Sequence, residues 1–286
     1  MYCIVHPVFA TVGVTANIKG LNFILLMLSS VTIAAAGYII NDYFDLNIDL
    51  INKPDKLVVD KIISRRWVIM WHLLLSSIGV ALAIYLDFTS PVKFLTLANL
   101  ACVGFLFLYS ISLKKKLLTG NILISLLTAW VILVITYAET SNLLRSINIA
   151  PSTTKVTRIS FLYAGFAFII SLIREVVKDM EDIEGDRKYN CYTMPIAWGI
   201  NTSKVFVSVW LVVLIAALGI VQVYVLQFKW WWSAGYCILF IIFPLLYIFK
   251  NLLKANTSRD YHKLSSLIKL TMFTGILSMI FFRIYL

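Results

Sequence analysis

The chain has 286 residues, of which 60% are hydrophobic and only 14% charged, and its formal net charge is +11. A soluble domain of this length would expose far more charge, so the composition excludes a soluble globule and reads as an integral membrane protein. Nucleic acid is a poor partner for such a chain, because its excess of Lys and Arg suits anionic lipid headgroups.

Apolar runs long enough to cross a bilayer recur throughout and predict an all-α, polytopic membrane bundle of about nine transmembrane helices. In chain order they cover roughly 2–16, 21–44, 67–86, 92–111, 119–137, 159–177, 204–226, 230–249 and 266–285. The polar stretches between them are too short to fold alone, so residues 1–286 read as one domain. The first run carries neither a basic leader nor a clear small-residue cleavage site, which argues against a signal peptide. At 1.5 Å per residue it reaches only ~24 Å, short of a ~30 Å hydrocarbon core. It is read as a partial helix or as a span whose start lies upstream of the given sequence.

Loop charge orients the bundle. Eighteen of the 25 Lys and Arg fall in or beside the connections that follow spans two, four, six and eight. The positive-inside rule therefore puts those connections in the cytoplasm, at the inner face of a cell membrane. Trp230, Trp231 and Trp232 read as part of an interfacial aromatic belt. Cys3, Cys102, Cys191 and Cys237 show no CxxC pairing and the three histidines lie far apart, so neither a disulfide frame nor a zinc site is expected.

Two acidic clusters sit where apolar helices run out, both on the face assigned to the cytoplasm. The first is Asn41, Asp42, Asp45 and Asp49 in AAGYIINDYFDLNID, and the second is Asp179, Asp182 and Asp186 in IREVVKDMEDIEGD. At 100° per residue Asn41, Asp45 and Asp49 fall within ~80° of a helix surface, with Asp42 beside them. Asp179, Asp182 and Asp186 fall within ~60°, and Glu175 joins them one turn earlier. Gly185 is expected to end the second helix, which would move Asp186 from the stripe into a turn.

Solvated loop carboxylates balancing nearby Lys and Arg would account for either cluster alone. Two clusters on one face with matching spacing favour a bound divalent cation, because hard cations such as Mg²⁺ take oxygen ligands and complete their shell with substrate phosphates. Basic residues flank both clusters: Lys53 and Lys56 after the first, Arg174 and Lys178 around the second. A further patch, Lys114 to Lys116, follows Tyr109 in FLYSISLKKKLLTGN. Carboxylates mixed with Lys and Arg suit a metal-bridged phosphate with added cationic clamps. Anchoring at the inner face is the better account of the Lys triplet taken on its own.

The run NDYFDLNID resembles the NDxxDxxxD motif of the UbiA superfamily of intramembrane prenyltransferases. DIEGD at 182–186 is similar to the second DxxxD motif of that family, and YSISLK to its Tyr/Lys motif. GYIINDYFDLNIDLINKP and REVVKDMEDIEGDRKYNCYTMPIAWG look most like the digeranylgeranylglyceryl phosphate synthase branch. One departure lies after the first motif, where the family commonly has NRPxRPxxxG and this chain reads NKPDKLVVDK, so Lys53 and Lys56 replace arginines. Lysine keeps the charge and loses the bidentate fork.

The resemblance implies that Mg²⁺ held by Asn41, Asp45, Asp49, Asp182 and Asp186 bridges a prenyl diphosphate. The same four aspartates carry catalysis in this reading. Tyr109, Lys53, Lys114, Arg174 and Lys178 are its candidates for binding diphosphate, while Asp42, Glu175 and Asp179 would support them. Asp179 and Glu175 are also candidates to deprotonate the acceptor.

The implied acceptor is a lipid-like prenylglycerol phosphate, giving an ether, or an activated aromatic ring as in quinone-precursor relatives. No obligate protein partner is evident. A reading of another class, a transporter of a lipid-linked or phosphorylated solute, explains the spans as well. Against it, the acidic clusters lie on one face instead of near the bilayer centre, and no inverted repeat of broken helices is evident.

Overall fold

A computed structural model describes residues 4–5, 17–18, 20–140 and 151–285, and the described chain is helical, without strands. Helix α1 spans Leu21–Asn52, α2 Arg65–Thr89, α3 Leu95–Ile111, α4 Thr119–Thr140 and α5 Pro151–Glu181. Two short helices, α6 (Ile183–Lys188) and α7 (Met194–Ala197), lead into α8 (Ile200–Leu226). Helices α9 (Trp231–Cys237) and α10 (Phe243–Lys254) are joined by a π-turn at Ile238–Ile242. Pro244 explains the turn, since it removes one backbone donor and crowds the preceding carbonyls. Helices α11 (Ser258–Leu277) and α12 (Ile280–Tyr285) complete the described chain.

Among the described residues seven helical segments are long and apolar enough to cross a membrane. Helix α3 is a shorter apolar helix of 17 residues, ~26 Å long. These eight correspond to the second to ninth expected spans. The first expected span, 2–16, lies outside the described residues apart from Ile4 and Val5. A polytopic all-α membrane bundle is thus the architecture.

Helices α1 and α5 are longer than a bilayer requires, and that excess makes the site. Helix α1 has 32 residues and α5 has 31, so each reaches ~47 Å against a ~30 Å hydrocarbon core. The apolar stretch of α1 is followed without a break by NDYFDLNID, and the helix stops at Asn52 because Pro54 disfavours helical backbone just before it. Helix α5 stops at Glu181. The break therefore comes before Asp182, four residues earlier than the expected end at Gly185. Gly185 and Asp186 lie inside α6.

Packing divides around α1 and α5. Helix α1 lies against α2 and α3, while α5 lies against α4, α8 and α11. The largest buried cluster joins α5, α8, α10 and α11 through residues such as Ile173, Val177, Leu211, Leu245 and Ile268. Large apolar side chains such as Phe88, Ile220 and Trp232 are strongly exposed, as expected where lipid is the solvent.

Polar groups turn inward and tie helices together, a recurrent device in bilayers. Ser29 Oγ donates to the Gly79 carbonyl at 2.7 Å, and Asn99 Nδ2 donates to Ser29 Oγ at 2.7 Å, joining α1, α2 and α3. The contact depends on Gly79, where a Cβ would come within 2.6 Å of Ile33 Cγ1 and 2.9 Å of Thr32 Oγ1. Replacing Gly79 with Val should push α2 from α1, break this bond and cost roughly 1–3 kcal/mol. Thermal unfolding in detergent measures it, and an unchanged midpoint would show that the close approach matters little.

Candidate active site at the ends of α1 and α5

Where α1 and α5 run out of the bundle, their acidic stripes face each other across a cavity of about 280 Å³. Asn41, Asp42, Asp45 and Asp49 supply one wall, at the helical spacing that puts them on one side of α1. Glu175, Lys178, Asp179, Asp182 and Asp186 supply the other. Leu57, Val58 and Val59 add an apolar edge from the segment after α1. The cavity thus gathers twelve of the thirteen residues expected from sequence, including Lys53, Tyr109 and Lys114. Arg174 is the one that does not line it.

The first wall is organised around Asp45. Asn41 Nδ2 donates to Asp45 Oδ2 at 2.6 Å, and Lys114 Nζ donates to Asp45 Oδ1 at 2.5 Å and to Asn41 Oδ1 at 3.3 Å. Lys114 comes from a 3₁₀ turn, Leu113–Lys115, that follows α3. The start of α4 presses directly on that turn: a Cβ on Gly120 would sit 2.7 Å from Lys114 Cα, so a glycine is needed there. Burial lowers the basicity of the Lys114 ammonium, and the Asp45 carboxylate opposes that shift.

The second wall is held from several sides. Asn121 Nδ2, from the first turn of α4, donates to Asp179 Oδ2 at 2.8 Å. Lys53 Nζ lies 2.8 Å from Asp182 Oδ1 and 2.9 Å from Asp182 Oδ2, and only the second contact has hydrogen-bond geometry. The same ammonium is 3.7 Å from Glu181 Oε1, which meets His262 Nδ1 at 2.8 Å. Asp186 is nearly buried, and desolvation followed by repulsion from Asp182 raises its carboxyl to about 7. Cys191, also in the lining, has its thiol pushed up to about 11 by burial.

Arg174 turns to Glu175, with its Nη1 2.6 Å from Glu175 Oε1. Its guanidinium thus meets the lining at Glu175. Lys178 contrasts with the other two lysines of the lining: among the described residues its ammonium has no ion pair within 4 Å and no hydrogen bond.

Sequence reasoning missed Asn52, Asn121 and Glu181. Asn121 closes the KKKLLTGN run as a polar residue at the mouth of an apolar helix, a signal that could have found it. Asn52 and Glu181 carry no such signal.

The lining holds seven carboxylates and three lysines. An anion entering it would be repelled unless further cations came with it. Every acidic donor is a hard oxygen, the set that Mg²⁺ takes. Among the described residues no three His, Cys, Asp or Glu converge to coordination distance; Lys114 and Lys53 hold Asp45 and Asp182 instead. Two ammonium groups thus already stand on these oxygens as cations, and the residues fit a hard divalent ion in their chemistry.

Comparison with known proteins agrees with this architecture. The digeranylgeranylglyceryl phosphate synthase of Methanospirillum hungatei is 30% identical over 288 residues, covering 96% of this chain and 94% of the relative. A solved structure of a digeranylgeranylglyceryl phosphate synthase superposes with a TM-score of 0.61 at 25% identity, over 99% of this chain and 95% of that one. A homologue from Archaeoglobus fulgidus, solved with DMAPP and Mg²⁺, has the same fold: its TM-score is 0.56 at 15% identity, over 97% of this chain and 94% of that one. Residues 4–276 match the UbiA prenyltransferase family, and the chain belongs to it.

Proposed function

We propose that this protein transfers a geranylgeranyl group from its diphosphate to the hydroxyl of a prenylglycerol phosphate and releases diphosphate. The observation that carries the reading is the charge of the cavity, where seven carboxylates face three lysines in a lining otherwise suited to phosphate. Such a lining accepts a diphosphate only together with divalent cations. The relatives named digeranylgeranylglyceryl phosphate synthase support the choice of substrates, and the fold shared with a protein that holds DMAPP and Mg²⁺ supports the choice of ion.

Asn41, Asp45 and Asp49 on one wall, and Asp182 and Asp186 on the other, would hold Mg²⁺, which when bound neutralises the diphosphate and stabilises it as a leaving group. Lys178, which makes no ion pair within 4 Å among the described residues, is the cation ready to receive a phosphoryl oxygen. Lys53 and Lys114 exchange their carboxylates for phosphate as the site fills, and Tyr109 bounds the same space.

The C1–O bond of the prenyl diphosphate breaks, with its electron pair leaving on diphosphate. The acceptor oxygen then bonds to C1 and gives up its proton. Glu175 and Asp179 lie nearer the membrane-spanning part of α5 than Asp182 does, and either can take that proton. Eighteen Lys and Arg lie in or beside the connections at this end of the bundle, which argues for a cytoplasmic site.

The decisive assay uses purified protein in detergent with Mg²⁺, geranylgeranyl diphosphate, and a prenylglycerol phosphate or 4-hydroxybenzoate as acceptor. Mass spectrometry should find the geranylgeranyl ether. A prenylated hydroxybenzoate would redirect the acceptor assignment, and binding without conversion would favour transport. Asp45→Ala and Asp182→Ala should each lower diphosphate release by about 100-fold or more while the protein stays folded. Near-normal turnover in both variants would defeat the assignment. Lys178→Met should raise the KM for prenyl diphosphate by roughly 10- to 100-fold, the loss of a charge-assisted contact. Chelation by EDTA should stop turnover, and added Mg²⁺ should restore it.

A further inference from the structure

Asn52 is the last residue of α1, and its side chain reaches the second acidic segment. Its Nδ2 donates to the Asp182 carbonyl at 3.0 Å, and its Oδ1 accepts from the Gly185 N–H at 2.9 Å. Both partners are backbone, so the fork consumes none of the side-chain oxygens in the cavity. The two bonds join segments 130 and 133 residues apart.

What the fork does follows from the start of α6. Asp182 is the N-cap residue of that helix, and an aspartate there ordinarily folds its carboxylate back onto the backbone N–H of the second or third helical residue. Asp182 makes no such bond. The third helical amide is that of Gly185, and Asn52 has taken it. The Asp182 carboxylate is thereby left to line the cavity and meet Lys53.

Gly185 makes the arrangement possible. A Cβ there would lie 2.6 Å from Asn52 Nδ2, 2.7 Å from Oδ1 and 2.8 Å from Cγ. Any side chain at 185 would expel the amide.

We propose that Asn52 is a positioning residue, which caps α6 from outside, frees the Asp182 carboxylate for cation binding and sets the spacing of the two acidic walls. The inference rests, for its functional half, on the cation-binding reading of the cavity. A neutral amide suits the task. A carboxylate at 52 would add to the repulsion between the walls, and a lysine would be drawn to their oxygens. Lys53 follows directly, so the end of α1 positions both the cap and the ammonium that faces Asp182.

Asn52→Ala, Gly185→Ala and the double variant test this in three measurements: amide hydrogen exchange over 182–190 in metal-free protein, Mn²⁺ binding followed by electron paramagnetic resonance, and the thermal midpoint. Each single variant should speed exchange at the start of α6 and weaken Mn²⁺ binding by roughly 10- to 100-fold, with a small change in midpoint. The double variant should lose no more than the worse single one, because the three nearest atoms that the added methyl would meet all belong to the Asn52 side chain.

Additive losses, or wild-type exchange in Asn52→Ala, overturn the clamp. Wild-type protein that binds no Mn²⁺ overturns the cation reading, while the exchange data still judge the clamp. Should Asn52→Ala fail to fold, Gly185→Ala keeps every polar group and carries the same measurements.

Discussion

Two negatively charged walls held a cavity's width apart are the constraint on which this structure turns. Left alone, the α1 and α5 carboxylates would repel each other and the helix ends would splay. They are kept together by ties of different kinds. Lys114 joins the α3–α4 turn to Asp45, Lys53 joins the end of α1 to Asp182, and Asn52 holds the backbone of α6. The lysine ties are ionic, so an incoming phosphate can compete for them; the asparagine tie is neutral and stays. A site built in this way keeps its shape while its cations are redistributed.

The bilayer explains why the walls lie where they do. A charged stripe within the hydrocarbon core is strongly disfavoured, whereas one on the continuation of the same helix is solvated by headgroups and water. Helices α1 and α5 are each long enough to span the core and extend beyond it. Asn41 to Asp49 on α1, and Glu175 and Asp179 on α5, therefore ride on rigid helix with helical spacing, whereas Asp182 sits at the break after α5 and Asp186 on α6. Inward-facing polar pairs such as Ser29 with the Gly79 carbonyl, and Asn99 with Ser29, anchor α1 below the site.

Glu181 extends the site outward. It touches Lys53 on one side and His262 on the other, and its carbonyl accepts from Ser258 Oγ at 2.9 Å. The start of α11 is thereby joined to the lysine that faces Asp182. The cavity is braced by α1, α4, α5 and α11 together, which accounts for a buried carboxylate so close to the acidic wall.

Local pattern alone determined much of this protein. Apolar runs dictate membrane helices because lipid cannot hydrogen-bond the backbone, and the period of 3.6 residues puts Asn41, Asp45 and Asp49 on one face wherever that helix goes. The shared end of both acidic clusters was legible too, since it depends only on counting spans and basic connections. Tertiary structure alone decided the rest. The break after Glu181, the turn of Arg174 toward Glu175, the reach of Asn121 to Asp179 and the fork of Asn52 over Gly185 each depend on which atoms surround a side chain or turn in the folded bundle. The last two join residues 58 and 133 positions apart. Periodicity constrains the direction in which a side chain leaves its own helix; which group meets it there is set by the packing of other helices, and no local pattern carries that information.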